Sequence, residues 1–225
     1  MSVKPYYFDD LVTLYHGDCR EILPMVSADV LVTDPPYGTR VDRDGYGRRQ
    51  IHHGEQHIEN DHDLSCFDAA IAATTARRAV AFSSPKRTLE MLSIFTRHGW
   101  GVAAEFVWDK LSPGLGGGIR YQHENAYIVA RDAFVGGSSI SSVLRFASVS
   151  RGGKHPHEKP IDLMMKLIEY VGDGEIVDPF AGSGSTLVAA ADLNRKAIGI
   201  EIEERYCEIA ARRLESRTPS LFRDH

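Results

Sequence analysis

Cysteine is scarce in this sequence: Cys19, Cys66 and Cys207 are three thiols in 225 residues, an odd number without paired spacing. That excludes a disulfide-stapled fold and points to a reduced, cytoplasmic setting. No apolar run approaches the roughly 20 residues that span a bilayer, so no membrane is expected as a partner. Met1-Ser2-Val3-Lys4-Pro5 lacks the apolar centre of a signal peptide. An excess of positive charge is missing too, since 26 Lys and Arg face 31 Asp and Glu for a formal net charge of −5. This excludes a surface that is basic throughout, although contact with a polyanion needs only a local patch. Arg40, Arg43, Arg48 and Arg49 form one basic group, Lys110 and Arg120 a second, and Arg145, Arg151 and Lys154 a third. Each alone reads as solvated surface, and they matter only if the fold collects them on one side. Two familiar phosphate loops are also absent. There is no Gly-x-x-x-x-Gly-Lys-Ser/Thr, and Leu187 stands where a dinucleotide loop starting at Gly182 would need its third glycine.

What is present fits a single α/β domain over 1–225, with 43% hydrophobic and 25% charged residues. Apolar runs at 12–16, 29–33, 79–83, 101–108, 126–130, 175–177 and 197–200 read as strands. Helical periodicity covers 20–26, 64–78, 85–98, 161–171, 185–193 and 203–214. Such alternation predicts a mostly parallel sheet covered on both faces. Two stretches break the rhythm. Residues 39–63 are polar and rich in Gly, Arg and His, and are expected to form a mobile loop. Residues 134–156 are similar, with Gly136-Gly137 and several serines.

The sharpest motif is Asp34-Pro35-Pro36-Tyr37-Gly38, directly after the apolar Val30-Leu31-Val32. Two prolines cannot continue a central strand, so the chain leaves the sheet there, at the carboxyl end where open α/β sheets bind ligands. The chemistry suits an exocyclic amine on a nucleobase, whose lone pair is delocalised into the ring. Two acceptors gripping both N–H groups, the Asp34 carboxylate and the Pro35 carbonyl, would pull that nitrogen toward tetrahedral geometry. Tyr37 offers a flat face for a base swung out of a duplex. The plainer reading is a strand-ending turn with a packed tyrosine.

A second motif, Asp178-Pro179-Phe180-Ala181-Gly182-Ser183-Gly184-Ser185-Thr186, also follows a strand and opens a helix. Its glycines allow a tight turn and close approach of a ligand. Glu201 follows about twenty residues later, a spacing at which an acid binds ribose hydroxyls. A solvated charge or helix cap is the alternative. His52, His53, Glu55, His57, Asp61, His62 and Asp63 are dense in potential metal ligands, but their spacing fits no helical zinc motif. No metal is expected.

Taken in order, these motifs resemble the permuted amino-methyltransferases of DNA, in which the catalytic motif precedes the cofactor motif. Leu14-Tyr15-His16-Gly17-Asp18-Cys19 resembles the opening cofactor-side strand, and Trp108-Asp109-Lys110 and His123-Glu124-Asn125 resemble segments lining the base pocket. His157-Glu158-Lys159-Pro160 resembles a further cofactor motif. The resemblance implies a Rossmann-like S-adenosylmethionine-dependent methyltransferase fold: a mostly parallel twisted sheet with an antiparallel hairpin at one edge and a circularly permuted motif order. It also implies that the strands ending at Asp178 and Asp34 are neighbours. The implied catalytic residues are Asp34, Pro35, Pro36 and Tyr37. The implied cofactor residues are Asp18, Lys159, Pro160, Asp178, Phe180, Ala181, Gly182, Ser183, Gly184, Ser185, Thr186 and Glu201. Arg40, Arg43, Arg48, Arg49, Lys110 and His123 are the expected DNA contacts, with 133–154 a short candidate target-recognition segment. The expected activity is methylation of adenine N6 in DNA from S-adenosyl-L-methionine after base flipping, with a homodimer and a cognate restriction endonuclease as candidate partners. Methylation of cytosine N4, where related enzymes more often carry serine in place of Asp34, is the alternative. A non-catalytic nucleic-acid-binding partner on this fold would be expected to lack Asp34 or Tyr37.

Overall fold

The computed structural model describes residues 3–36, 64–113, 119–134, 136, 139–149 and 158–217. Alternating side chains along the strands decide how the layers assemble. In β3 (Val30–Thr33) and β4 (Arg78–Ser83), Val30, Val32, Val80 and Phe82 face one apolar layer, while Leu31, Ala79 and Ala81 face the other. Both faces are buried, as a parallel sheet requires.

Along the chain, β1 (Tyr7–Phe8) and β2 (Val12–His16) lead into α1 (Cys19–Ile22) and a 3-10 turn, Leu23–Met25. Then come β3, α2 (Ser65–Ala73), β4, α3 (Thr88–Arg97), β5 (Gly101–Asp109), β6 (His123–Ala130) and β7 (Val143–Arg145). The chain closes with α4 (Ile161–Val171), β8 (Ile176–Asp178), α5 (Ser185–Asp192), β9 (Ala197–Glu201) and α6 (Glu204–Glu215). The sheet order is β1-β2-β9-β8-β3-β4-β6-β5-β7. The five strands from β2 to β4 in that order run parallel. Strand β6 runs against both β4 and β5, and β7 lies parallel to β5.

Helices α4, α5 and α6 cover one face and α1, α2 and α3 the other. Helix α4 buries Leu163, Met164, Leu167, Ile168 and Val171, a three-to-four-residue stripe along one side. All eight residues of α5 are buried because it is wedged between the sheet and its neighbouring helices. Strands β8 and β9, last in the chain, fill the space between β2 and β3, which lie early in it. That insertion brings segments about 145 residues apart to adjacent positions.

The expected α/β architecture, with its mostly parallel sheet and antiparallel hairpin, is what the chain adopts. The details differ for physical reasons. The helix expected over 64–78 stops at Ala73, since Thr74 is extended and Arg78 already pairs in β4. The one expected over 85–98 starts only at Thr88. Pro24 turns the end of the expected 20–26 helix into a 3-10 turn. The stretch 134–156 is not wholly irregular: Val143–Arg145 adds the outermost strand beyond the hairpin and buries Leu144. Among the described residues no helix is long and apolar enough to cross a membrane. The expected mobile loop, 39–63, lies outside the described residues.

Candidate active site

The carboxyl ends of the parallel strands collect His16, Glu201, Asp178 and Thr33 along one rim of the sheet, and Asp34 follows Thr33 directly. One buried hydrogen bond ties the two motifs together. Thr33 Oγ1 donates to Asp178 Oδ1 at 3.0 Å. The same carboxylate accepts the Phe180 N–H at 3.1 Å and the Thr186 hydroxyl at 2.5 Å. Asp178 thus fastens the beginning of the glycine loop, the first turn of α5 and the neighbouring strand. Burial pushes its carboxyl up to about 6 despite these three donors.

Glu201, at the end of β9, closes the other side of the loop. Its Oε2 accepts the Gly182 N–H at 2.8 Å, and Oε1 accepts the Glu203 N–H at 2.8 Å. Burial nevertheless raises it to about 7. Each oxygen keeps a further lone pair for an added donor. Gly184 precedes α5 with φ 83°, a left-handed conformation, and the Ser185 hydroxyl beside it is buried with no hydrogen-bond partner among the described residues. The expected loop residues 178–186 therefore do come together with Glu201.

Asp18 lies one residue beyond Gly17, whose N–H donates to the Glu201 carbonyl at 2.9 Å. Its carboxylate caps α1 through Arg20 N at 2.9 Å and grips the Arg20 guanidinium, which holds it below the usual carboxylate range. The ligand atoms of Asp18, Cys19 and Cys66 gather within 4.8 Å of one another. The hydrogen bond with the free Cys66 thiol and burial push Cys19 up, which opposes the thiolate a metal needs. The His-rich run considered from the sequence lies outside the described residues.

The most informative side chain is Lys159. It is buried, and its Nζ donates to Asp34 Oδ2 while standing 3.2 Å from Glu124 Oε2. The ammonium lies 4.9 Å from the centre of the Phe82 ring and 5.9 Å from that of Trp108. Lys110 donates to the other oxygen of Glu124 at 2.5 Å and lies over Trp108 at 5.2 Å. Burial alone would raise Glu124, but Lys159 and Lys110 outweigh it and hold the carboxyl at about 2. Burial would likewise lower Lys159, yet Asp34 and Glu124 raise it. Sequence reading assigned Lys159 to the cofactor and Lys110 to DNA, and it placed Glu124 only within a segment resembling the lining of the base pocket, with no role of its own. The one available signal was an acid entering a strand that becomes fully buried from Ala126 onward. Pro160 stands at the N-cap of α4 and accepts the Met164 N–H through its carbonyl, while His123 is half-buried at the start of β6. Tyr37, Arg40, Arg43, Arg48 and Arg49 lie outside the described residues.

A family model described as DNA methylase matches residues 81–212, more than half of the chain. The chain belongs to the DNA methylase family. YubD of Escherichia coli K12, to which a methylase activity is ascribed, is 31% identical over 204 residues, covering 88% of each protein. The type II methyltransferase M.ScaI of Streptomyces caespitosus is 28% identical over 267 residues, covering 97% of this DNA methylase and 86% of its relative. The solved structure of M1.HpyAVI in complex with SAM superposes with a TM-score of 0.68 at 23% identity, covering 90% of this chain and 100% of that one. The cytosine-N4-specific PvuII DNA methyltransferase also gives a TM-score of 0.68, at 16% identity over 98% and 99% of the two chains. The fold of this DNA methylase is the one those enzymes share.

Proposed function

We propose that this DNA methylase transfers a methyl group from S-adenosyl-L-methionine to the N6 amine of an adenine turned out of the duplex. The observation that carries the reading is the bond from Thr33 to Asp178, which sets the Asp34 loop beside the glycine loop on adjacent strands. The residues present suit the cofactor. Glu201 is a carboxylate raised by its burial, and two ribose hydroxyls would add donors to the two backbone N–H groups it already accepts. The buried Ser185 hydroxyl, which has no partner among the described residues, lies beside the same loop. When bound, S-adenosylmethionine supplies a methyl on a sulfonium, which is reactive enough to need no metal and no covalent enzyme intermediate.

The protein's part is positioning and electrostatics. Asp34 and the Pro35 carbonyl accept the two amine N–H bonds, so the nitrogen lone pair turns toward the methyl, and Tyr37 stacks on the base. With the cofactor bound, its sulfonium would give up the methyl as the amine nitrogen forms the new bond to carbon, and the proton the amine then loses would pass to water by way of the Asp34 carboxylate. The amine's positive charge develops beside Asp34. Adenine is favoured over cytosine because Asp34 stands where related cytosine enzymes more often carry serine. Cytosine N4 is the second reading, favoured by the cytosine-N4-specific structural neighbour. The type II relatives suit a role within a restriction–modification pair.

The test is transfer of a labelled methyl into DNA followed by digestion to nucleosides. N6-methyladenine is expected, and N4-methylcytosine would select the second reading. Asp34→Ala should abolish transfer while cofactor affinity changes less than about threefold. Undiminished activity in that variant would remove Asp34 from the mechanism.

A further inference from the structure

Lys159 is an expensive residue to place where it stands. A buried ammonium loses its hydration, and the cost is recovered only with close counter-charges and good geometry. Here two carboxylates meet it from different elements, Asp34 from the segment after β3 and Glu124 from β6, while the Phe82 and Trp108 rings from β4 and β5 flank it. Packing alone would be served by methionine, which matches the volume of the lysine stem and suits the two rings. The charge itself therefore needs an explanation.

We propose that Lys159, steadied by Glu124, is the positioning residue that fixes the Asp34 carboxylate for the target amine. This rests on the role given to Asp34 above. A carboxylate on a loop residue rotates about two side-chain bonds, and grip on an amine requires one orientation. The ammonium binds Oδ2 of Asp34 and so sets that orientation before the base arrives. Glu124 is the reason Lys159 does not follow Asp34 or swing to water, because its Oε2 carries a second negative charge 3.2 Å from Nζ. Lys110 in turn occupies the second oxygen of Glu124. The four groups alternate in sign, Lys110, Glu124, Lys159, Asp34, so the chain of charges is neutral as a whole. Positive charge arriving on the amine is then met by Asp34 without a net cation facing it. The resemblance to known methyltransferases had put Lys159 with the cofactor, whereas its contacts among the described residues are to the amine-binding acid, Glu124 and the two rings.

Lys159→Met tests this in the full-length protein with a DNA substrate. Turnover at saturating cofactor and DNA should fall about 100-fold or more, the scale for loss of one preorganised electrostatic contact. Cofactor affinity by calorimetry should stay within about twofold, and Lys159→Arg, which keeps the charge, should restore part of the lost turnover. A tenfold or greater loss of cofactor affinity with turnover preserved would return Lys159 to the cofactor and overturn the proposal. Wild-type turnover in Lys159→Met, alongside an inactive Asp34→Ala, would overturn it while leaving the function standing. If Lys159→Met does not fold, Glu124→Gln carries the test, since Asp34 keeps its ammonium there. A several-fold fall in turnover at unchanged cofactor affinity supports the proposal, and undiminished turnover refutes it.

Discussion

At the scale of single residues, Asp178 and Glu201 combine burial with a shortage of opposite charge. Burial raises them to about 6 and about 7, whereas an unfolded chain would bind these protons near pH 4. Between those limits the folded, ligand-free protein holds more protons than the unfolded chain. Its stability from these groups is thus fully present below about pH 4 and is lost as the pH rises through 6 and 7. Glu124 works in the opposite sense, because its value near 2 contributes stability above pH 4 that disappears only in strong acid. From pH 5.5 to 8, the urea midpoint of the apo protein should therefore fall less in Glu201→Gln than in wild type. Donors from ribose hydroxyls favour the ionised carboxylate, so wild-type cofactor affinity should climb through pH 7. In Glu201→Gln it should be weaker at pH 8 by about tenfold or more, since a hydrogen bond to a charged group is worth roughly 1.5–3 kcal/mol. Calorimetry showing equal affinities at pH 8 would remove Glu201 from the cofactor site. This residue was legible from its distance to the glycine loop. Glu124 was not, because its meaning depends on Lys159, which is 35 residues away and reaches it only through the fold.

At the scale of elements, the strand-loop-helix unit from β8 to α5 depends on one backbone conformation. Gly184 has φ 83°, and a Cβ built on it would meet Ala210 Cβ of α6 at 2.8 Å. A left-handed residue with a side chain costs about 1–2 kcal/mol, and the clash with a packed helix adds to that. Gly184→Ala should lower the melting temperature by about 4 °C or more, since each kcal/mol shifts a chain of this size by roughly 2–4 °C. Ala210→Gly in the same molecule removes the clash and leaves the conformational cost, so it should restore only part of the loss. Full restoration would show that φ contributes nothing. The glycine loop and the Asp34 motif could be read from the sequence because strand ends with Gly or Pro are local chemistry. Strands β1 and β7 escaped because two or three residues carry no period. The antiparallel course of β6 against β4 also escaped, because strand order is set by tertiary packing and leaves no mark on alternation.

At the scale of the whole molecule, a chain of net charge −5 must approach a polyanion. Several of the described positive charges near the rim already face carboxylates. Lys159 and Lys110 face Glu124 and Asp34, Arg20 faces Asp18, and Arg145 lies 3.6 Å from Asp109. We propose that phosphate binding draws chiefly on Arg40, Arg43, Arg48 and Arg49, which follow the Asp34 motif directly in sequence. Each phosphate contact contributes about 0.9 to the slope of log affinity against log salt on duplex DNA. Replacing all four arginines with serine should make that slope shallower by about one to four units while cofactor affinity is preserved. Lys110→Ser, which removes a charge already committed to Glu124, should change it by less than about one unit. Measuring DNA affinity of both variants across a salt series decides the matter. A four-arginine variant with the wild-type slope and turnover would take those residues off the DNA, and a Lys110 variant with the larger change would move the contact to the β5–β6 end of the rim.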